Sequence, residues 1–316
     1  MKRQVLYIAG HTGLVGSALL RRTIRDENYA VITRTRAELD LMNSDSVAEF
    51  MQQESPDRVI IAAGRVGGIL ANQTYCGEFI HQNLTIQNNL IHQSMKAGVK
   101  SLVFLGSSCM YPKHCPQPMS ESALLTGLLE ETNLPYAIAK ISGWGMCQAY
   151  NQQYGMNYMT AIPANLYGRN DNFHPQDSHV IPGMIRRFHE AKIQQLKEVV
   201  VWGTGKPKRE FLLSDDLADA LLFLLEKNYH SSQPINIGSG QEVSISELAE
   251  TIKEIVGFDG HLIFDTHKPD GMPLKRLDNS QMEKLAWSAK TSLAEGIQKV
   301  YEWCLNSKIF EKIPFY

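Results

Sequence analysis

Apolar residues in the first half of the chain fall into short runs separated by longer stretches of helical spacing. The runs at 4–9, 30–33, 58–62, 101–105 and 158–162 are rich in β-formers and lack a simple alternation of polar and apolar positions. That pattern predicts strands covered on both faces. Between them, 14–25, 45–53, 75–97 and 136–153 have the length and amphipathic spacing of helices. Strand and helix in regular alternation predict βαβ units, hence an α/β fold with a doubly wound parallel sheet. From Asn165 the pattern loosens into NLYGRNDNFHPQDSHVIP, a stretch of turn formers and polar residues. Inside a compact protein such a segment is usually functional. Regular spacing returns at 215–226, 234–237, 244–256, 262–264 and 292–305, with no internal repeat or low-complexity linker. The later residues are therefore expected to form a smaller lobe over the carboxyl edge of the sheet, where open α/β sheets bind ligands.

The 316 residues, 43% of them hydrophobic, suffice for a substantial core. Lysines and arginines number 31 against 33 acidic residues, a formal net charge of −2. No basic field points to nucleic acid or a membrane surface, so a small-molecule partner is expected. The cysteines, Cys76, Cys109, Cys115, Cys147 and Cys304, are odd in number and lack CxxC spacing. They suit a reduced, cytoplasmic protein without a zinc site. The opening MKRQVLYIAGHTGLVGSALL is interrupted by a histidine and glycines and reads as a strand and turn, not a signal peptide. No apolar run approaches the roughly 18 residues of a membrane span.

After the first strand comes Gly10-His11-Thr12-Gly13-Leu14-Val15-Gly16, a GxxGxxG pattern leading into a helix. Glycines there permit a tight turn and close approach to a pyrophosphate, and the helix N-terminus attracts the anion. A Rossmann-type dinucleotide-binding domain is thus expected over 1–164, with part of 211–238 returning to it and 165–316 mainly a substrate-binding lobe. The second strand runs into Arg34 and Arg36, where an NAD enzyme commonly carries an acid for the ribose 2′-hydroxyl. Arginines there suit a 2′-phosphate and hence NADPH. Asp40 lies further on and is expected to contact adenine from the following loop. The fourth strand ends in Ser107, and the helix over 136–153 opens with Tyr136 and Lys140, four apart and on one face. A ketone gaining hydride on carbon must gain a proton on oxygen. A tyrosine acidified by a nearby ammonium is expected to donate it, with Ser107 orienting the carbonyl.

The segments GHTGLVGSA, GGILAN, FLGSSCMYP, PYAIAK, NLYG, DNFHP, SHVIP, RRFHEA, VVWGTG, REFL and KPDG closely resemble those of the GDP-L-fucose synthase family, among the extended short-chain dehydrogenases. The resemblance runs from residue 10 to about 271. It implies conversion of GDP-4-keto-6-deoxy-D-mannose to GDP-L-fucose by epimerisation at carbons 3 and 5 and reduction of the carbon-4 ketone with NADPH. Carried over position by position, it implies that Ser107, Tyr136 and Lys140 serve reduction and that Cys109 and His179 move protons in epimerisation. It also sets Lys140 and His179 beside the cofactor, with Gly67, Gly68 and Asn72 in a nearby turn. Asn165, Arg187, Trp202, Arg209 and Lys275 are the implied GDP-sugar contacts, Arg209 and Lys275 at the diphosphate. A homodimer built on the helices over 75–97 and 136–153 is implied too. The chain departs from close relatives at Thr12, often arginine there, at Gly64-Arg65, and around Leu274-Lys275-Arg276. A carbon-4 reductase acting on a related GDP-4-keto-deoxy sugar is the nearest alternative, and a non-catalytic NADP-binding regulator a more distant one.

Overall fold

Strands that are apolar on both faces assemble into one parallel sheet, as continuous rather than alternating burial requires. The computed structural model describes residues 3–175, 177–268 and 270–312. The outer ends of the two expected domains, residues 1–2 and 313–316, lie outside them. In chain order the first half contains β1 (Gln4–Ala9), α1 (Leu14–Thr23), β2 (Tyr29–Ile32), α2 (Ser44–Glu54), β3 (Arg58–Ile61), α3 (Ile69–Thr74), α4 (Cys76–Lys96), β4 (Ser101–Leu105), α5 (Leu134–Tyr154) and β5 (Asn157–Pro163). There follow β6 (Asn165–Tyr167), α6 (Val180–Ile193), β7 (Glu198–Trp202), β8 (Lys208–Leu213), α7 (Ser214–Glu226) and β9 (Ile235–Ile237). The chain continues through β10 (Glu242–Ser244), α8 (Ile245–Val256), β11 (His261–Asp265), β12 (Leu274–Lys275), α9 (Ser280–Lys284), α10 (Leu293–Ser307) and α11 (Ile309–Lys312).

The main sheet has the order β2-β1-β3-β4-β5-β9, and every neighbouring pair is parallel. Chain order reverses at β1, between β2 and β3, so the loop after β1 opens at a switch point on the carboxyl edge. β9 supplies the sixth strand, and the apolar face of α7, with Leu217, Leu221 and Leu225, joins the core on one side of the sheet. A second core fills the other side under α2, α4 and α5. A separate apolar cluster unites Phe173 with Ile185 and Phe188 of α6, Leu248 and Ile252 of α8, and Ile297 and Val300 of α10. Two small sheets accompany it: β8 with β6, β10 and β12, and β7 with β11.

The expected helix over 75–97 forms as α4, and Tyr75 (φ −115°, ψ 33°) separates it from the short α3, which the spacing did not announce. The loose segment from Asn165 also contains more structure than its composition implies. It begins as β6, which pairs with β8, and its His179 caps α6. Neither α6, β7 nor β8 was expected from the spacing. Among the described residues no helix is long and apolar enough to cross a membrane.

Candidate active site

The turn after β1 has the compactness its glycines allow. Gly10 adopts φ +87°, and a Cβ there would stand 2.7 Å from the Ala63 Cα. At Gly16 a Cβ would lie 2.1 Å from the Gly10 carbonyl oxygen. A side chain at Gly16 would push α1 off the turn and one at Gly10 would push the turn off the backbone after β3, so the start of the helix rests directly on the strand end. Gly13 caps α1, its carbonyl accepting from Ser17 N at 2.9 Å, and Leu14 and Val15 begin the helix. The Thr12 carbonyl accepts from Asn170 Nδ2 at 3.5 Å.

The end of β2 divides the work expected of its two arginines. Arg34 pairs with Glu54 at the end of α2, donates to the Thr33 carbonyl at 2.8 Å and lies 5.3 Å from the centre of the Phe50 ring. Arg36 is exposed and makes no ion pair among the described residues. Asp40 is also exposed, and its carboxylate accepts from Met42 N at 3.0 Å in the turn leading to α2.

Beyond β4 the chain bends into a short turn over Ser108–Met110. Ser107 stays extended and its hydroxyl accepts from Cys109 N at 3.2 Å. Tyr136 lies in the first turn of α5, close enough to Ser107 for the hydroxyl to favour its phenolate. One turn on, the Lys140 ammonium donates to the Leu105 carbonyl at 2.9 Å and lies 5.8 Å from the centre of the Tyr136 ring. Burial lowers Lys140 to about 8. Burial also raises Tyr136, reinforced by Cys109 and opposed by Ser107. The Tyr136 phenol is raised here rather than acidified, because burial outweighs its neighbours. Lys140 directs its hydrogen bond to a backbone carbonyl, and desolvation dominates both groups.

Cys109 is half-buried, its sulfur accepting from Asn133 Nδ2 at 3.3 Å and from Lys275 Nζ at 3.9 Å. The small cavity around it is completed by Met119, Glu130 and Met272. His179, at the start of α6, is exposed. Packing around its ring lowers its pKa, and a hydrogen bond to the Gly67 backbone works the other way. The turn that carries Gly67 is locked to the His179 segment: Asn72 Nδ2 donates to the Gly67 and Gly68 carbonyls at 2.8 and 3.0 Å, and Gly68 N donates to the Asp177 carbonyl at 3.3 Å. Gly64 of the same turn faces Lys140, a Cβ there standing 3.8 Å from Nζ. One loop thus touches both the lysine and the histidine.

The remaining candidates lie on the second lobe. Asn165 Nδ2 donates to the Glu210 carbonyl at 3.0 Å, Arg187 to the Val200 carbonyl at 2.8 Å, and Arg209 to the Lys208 carbonyl at 2.8 Å. Burial lowers the pKa of both arginines, with Asp270 opposing this at Arg209. Trp202 is 62% exposed, with the Lys268 ammonium 5.3 Å from its ring centre. Lys275 is in register with Arg209, and its ammonium lies 3.9 Å from the Cys109 sulfur. Asn133 and the fully buried Glu210 escaped the sequence reading. Glu210 accepts from Gly240 N and Leu277 N at 2.8 Å and from Asn279 at 3.0 Å, fixing the exit of β12. Its one sequence signal is an acid set between Lys208-Arg209 and the apolar run Phe211-Leu212-Leu213. A larger cavity of about 560 Å³, between Glu121, Trp144, Tyr229 and Gln281, contains none of these groups.

The NAD dependent epimerase/dehydratase family matches residues 6–238. GDP-L-fucose synthase 1 of Arabidopsis thaliana is 54% identical over 306 residues, covering 97% of this chain and 94% of the plant protein. GDP-L-fucose synthase of Escherichia coli K12 is 48% identical over 316 residues, covering 98% of each. A GDP-D-glycero-L-gluco-heptose synthase from Campylobacter jejuni, crystallised in the presence of NADPH, superposes with a TM-score of 0.89 at 38% identity, over 96% of this chain and 99% of its own. The chain belongs to the GDP-L-fucose synthase family, within the NAD dependent epimerase/dehydratase family.

Proposed function

We propose that this chain is an NADPH-dependent epimerase/reductase that converts GDP-4-keto-6-deoxy-D-mannose to GDP-L-fucose. The observation that carries the reading is the convergence of Ser107, Tyr136 and Lys140 with Cys109 at the carboxyl end of β4, in a chain about half identical to GDP-L-fucose synthases of a plant and a bacterium. The glycine turn fits a dinucleotide, since the space that side chains at Gly10 and Gly16 would fill is needed for the turn itself. Arg36, exposed and without an ion pair among the described residues, is the residue for a 2′-phosphate. NADPH, when bound, supplies the hydride that reaches carbon 4. Residues 1–164 with β9 hold it, while 165–316 mainly receive the GDP-sugar. There Arg209 and Lys275 meet the diphosphate, Arg187 and Asn165 add polar contacts to the GDP-sugar, and Trp202 offers its face to the base or sugar.

Ser107 and Tyr136 hold the carbon-4 ketone, and Tyr136 delivers a proton to its oxygen as reduction proceeds. Its raised pKa keeps the phenol protonated until then. Lys140 stabilises the phenolate left behind while its amine is charged. Before reduction, protons on carbons 3 and 5 are acidic because the neighbouring ketone stabilises an enolate. Cys109 and His179 share their removal and return.

The test uses wild-type enzyme, NADP⁺ and the ketosugar in heavy water. Deuterium is expected at carbons 3 and 5 although no hydride is available. Efficient reduction with NADPH but no deuterium at either carbon would move the chain to the carbon-4 reductases of related GDP-4-keto-deoxy sugars.

A further inference from the structure

Asn236 is fully buried in the middle of β9, opposite Ile162 of β5 in the main sheet and between two isoleucines of its own strand. On burial alone an apolar residue would suit this position better, because a buried amide must find partners for every donor and acceptor it carries. Asn236 finds them in separate segments. Its Oδ1 accepts from the Tyr111 hydroxyl at 2.6 Å, and its Nδ2 donates to the Met119 and Asp278 carbonyls at 2.9 and 3.2 Å. Its backbone N–H donates to the buried Glu121 carboxylate at 3.0 Å. Two of these partners lead to the candidate site. Tyr111, itself buried, ends the turn over Ser108–Met110 that sets Cys109 beside Ser107. Asp278 follows β12, in a segment fastened from two sides. Met119 N donates to the Arg276 carbonyl at 2.8 Å and Asp278 N to the Met119 carbonyl at 2.9 Å, while Glu210 accepts from Leu277 N at 2.8 Å. One side chain of the main sheet therefore grips the turn after β4 with its oxygen and the exit of β12 with its nitrogen.

We propose that Asn236 is a positioning residue for the reaction, the joint that sets the strand paired with Arg209 at a fixed place relative to the groups after β4. The joint itself is independent of the epimerase/reductase reading, and only its catalytic consequence rests on that reading. Asn236 acts through Tyr111 and Asp278. Proton donor, hydride and ketone must coincide, and a misplacement of about 1 Å can cost roughly 100-fold in rate. An amide suits the task because it offers an acceptor and two donors at fixed angles, so both grips are referred to the same strand.

The experiment compares three variants in turnover of the ketosugar with NADPH. Tyr111→Phe removes one hydroxyl and leaves Asn236 Oδ1 without that donor. Its kcat should fall roughly tenfold, while the KM for the GDP-sugar and the Kd for NADPH stay within about twofold. Asn236→Asp sets carboxylate oxygen against the Met119 and Asp278 carbonyls, loosening both grips, and should lower kcat further and raise the KM for the GDP-sugar as well. Tyr158→Phe is the control. Tyr158 is likewise buried, at the amino end of β5, and donates to the Val99 carbonyl at 2.9 Å, so this variant deletes a buried hydroxyl of the same sheet away from the site. It should keep wild-type kcat. A wild-type kcat in Tyr111→Phe, or equal losses in Tyr111→Phe and Tyr158→Phe, overturns the proposal. Amide hydrogen exchange without substrate reads the joint directly. Residues 107–111 should exchange faster in Tyr111→Phe and Asn236→Asp, and 276–279 faster in Asn236→Asp, with 4–9 unchanged. Unchanged exchange at 107–111 in Tyr111→Phe also overturns it. If wild-type enzyme leaves the ketosugar untouched while these exchange shifts hold, the joint stands and the epimerase/reductase reading falls.

Discussion

Lys140 is 5% exposed, and burial brings it down to about 8. The sign of the resulting pH dependence follows directly. Its pKa is depressed from the ordinary lysine value, so the ammonium is present below about pH 8 and lost above it. In the proposed reaction a phenolate left on Tyr136 needs this charge, so the single-turnover reduction rate is expected to fall as pH rises through about 8. Lys140→Gln should be slow at every pH and lack that limb. A wild-type rate that stays level to pH 10 would remove the lysine charge from the chemistry. Tyr136→Phe should bind NADPH normally yet lose roughly 100- to 10,000-fold in turnover, the scale of general acid catalysis. The phenol also lies close enough to Cys109 for the sulfur's charge to raise its pKa.

At the scale of elements, β1, its glycine turn and α1 form a unit whose design was readable because each requirement is local. Continuous apolar residues build the strand, and glycines stand where Cβ atoms would collide. The arginines that follow β2 were readable only as a pair. Their division depends on Glu54 and Phe50, which belong to α2 and draw Arg34 to the helix while leaving Arg36 outside. Arg36→Ala should therefore raise the Michaelis constant for NADPH at least tenfold with little effect on NADH, since a charge-assisted contact contributes about 1.5–3 kcal/mol. Arg34→Ala should discriminate less between the cofactors. Steady-state kinetics with both cofactors decide it, and equal effects of Arg36→Ala on both would separate this residue from the phosphate. The second lobe was less legible. β6, β10 and β12 are two or three residues long and exist because β8 pairs with them, which no local pattern announces. The same holds for the meeting of Lys275 and Cys109, created by strand pairing between segments 166 residues apart. Tyr136 and Lys140, four apart on one helix, needed no such pairing.

For the whole molecule, α4 and α5 decide what the outer face of the main sheet can do. Each is 21 residues long, and they pack on one another, with buried Gln87 of α4 donating to the Ala139 carbonyl of α5 at 2.6 Å. α5 directs Ala139, Lys140, Gly143 and Cys147 inward. On its opposite side Ile138, Ser142, Gly145 and Ala149 are all exposed. Spaced by four, three and four, these residues form one stripe. Three of them are small enough to let a second helix approach closely, and a Cβ at Gly145 would meet nothing within 4 Å. Two-fold symmetry would place the stripe against its own copy and join the two helix pairs in a four-helix bundle. Sedimentation at micromolar concentration is expected to give a dimer. Gly145→Arg, which points outward and leaves the core untouched, should shift the population to monomer without weakening NADPH binding, because the glycine turn lies on β1 and α1. A monomeric wild type at that concentration would rule the dimer out. A dimer unaffected by Gly145→Arg would place the interface on another face.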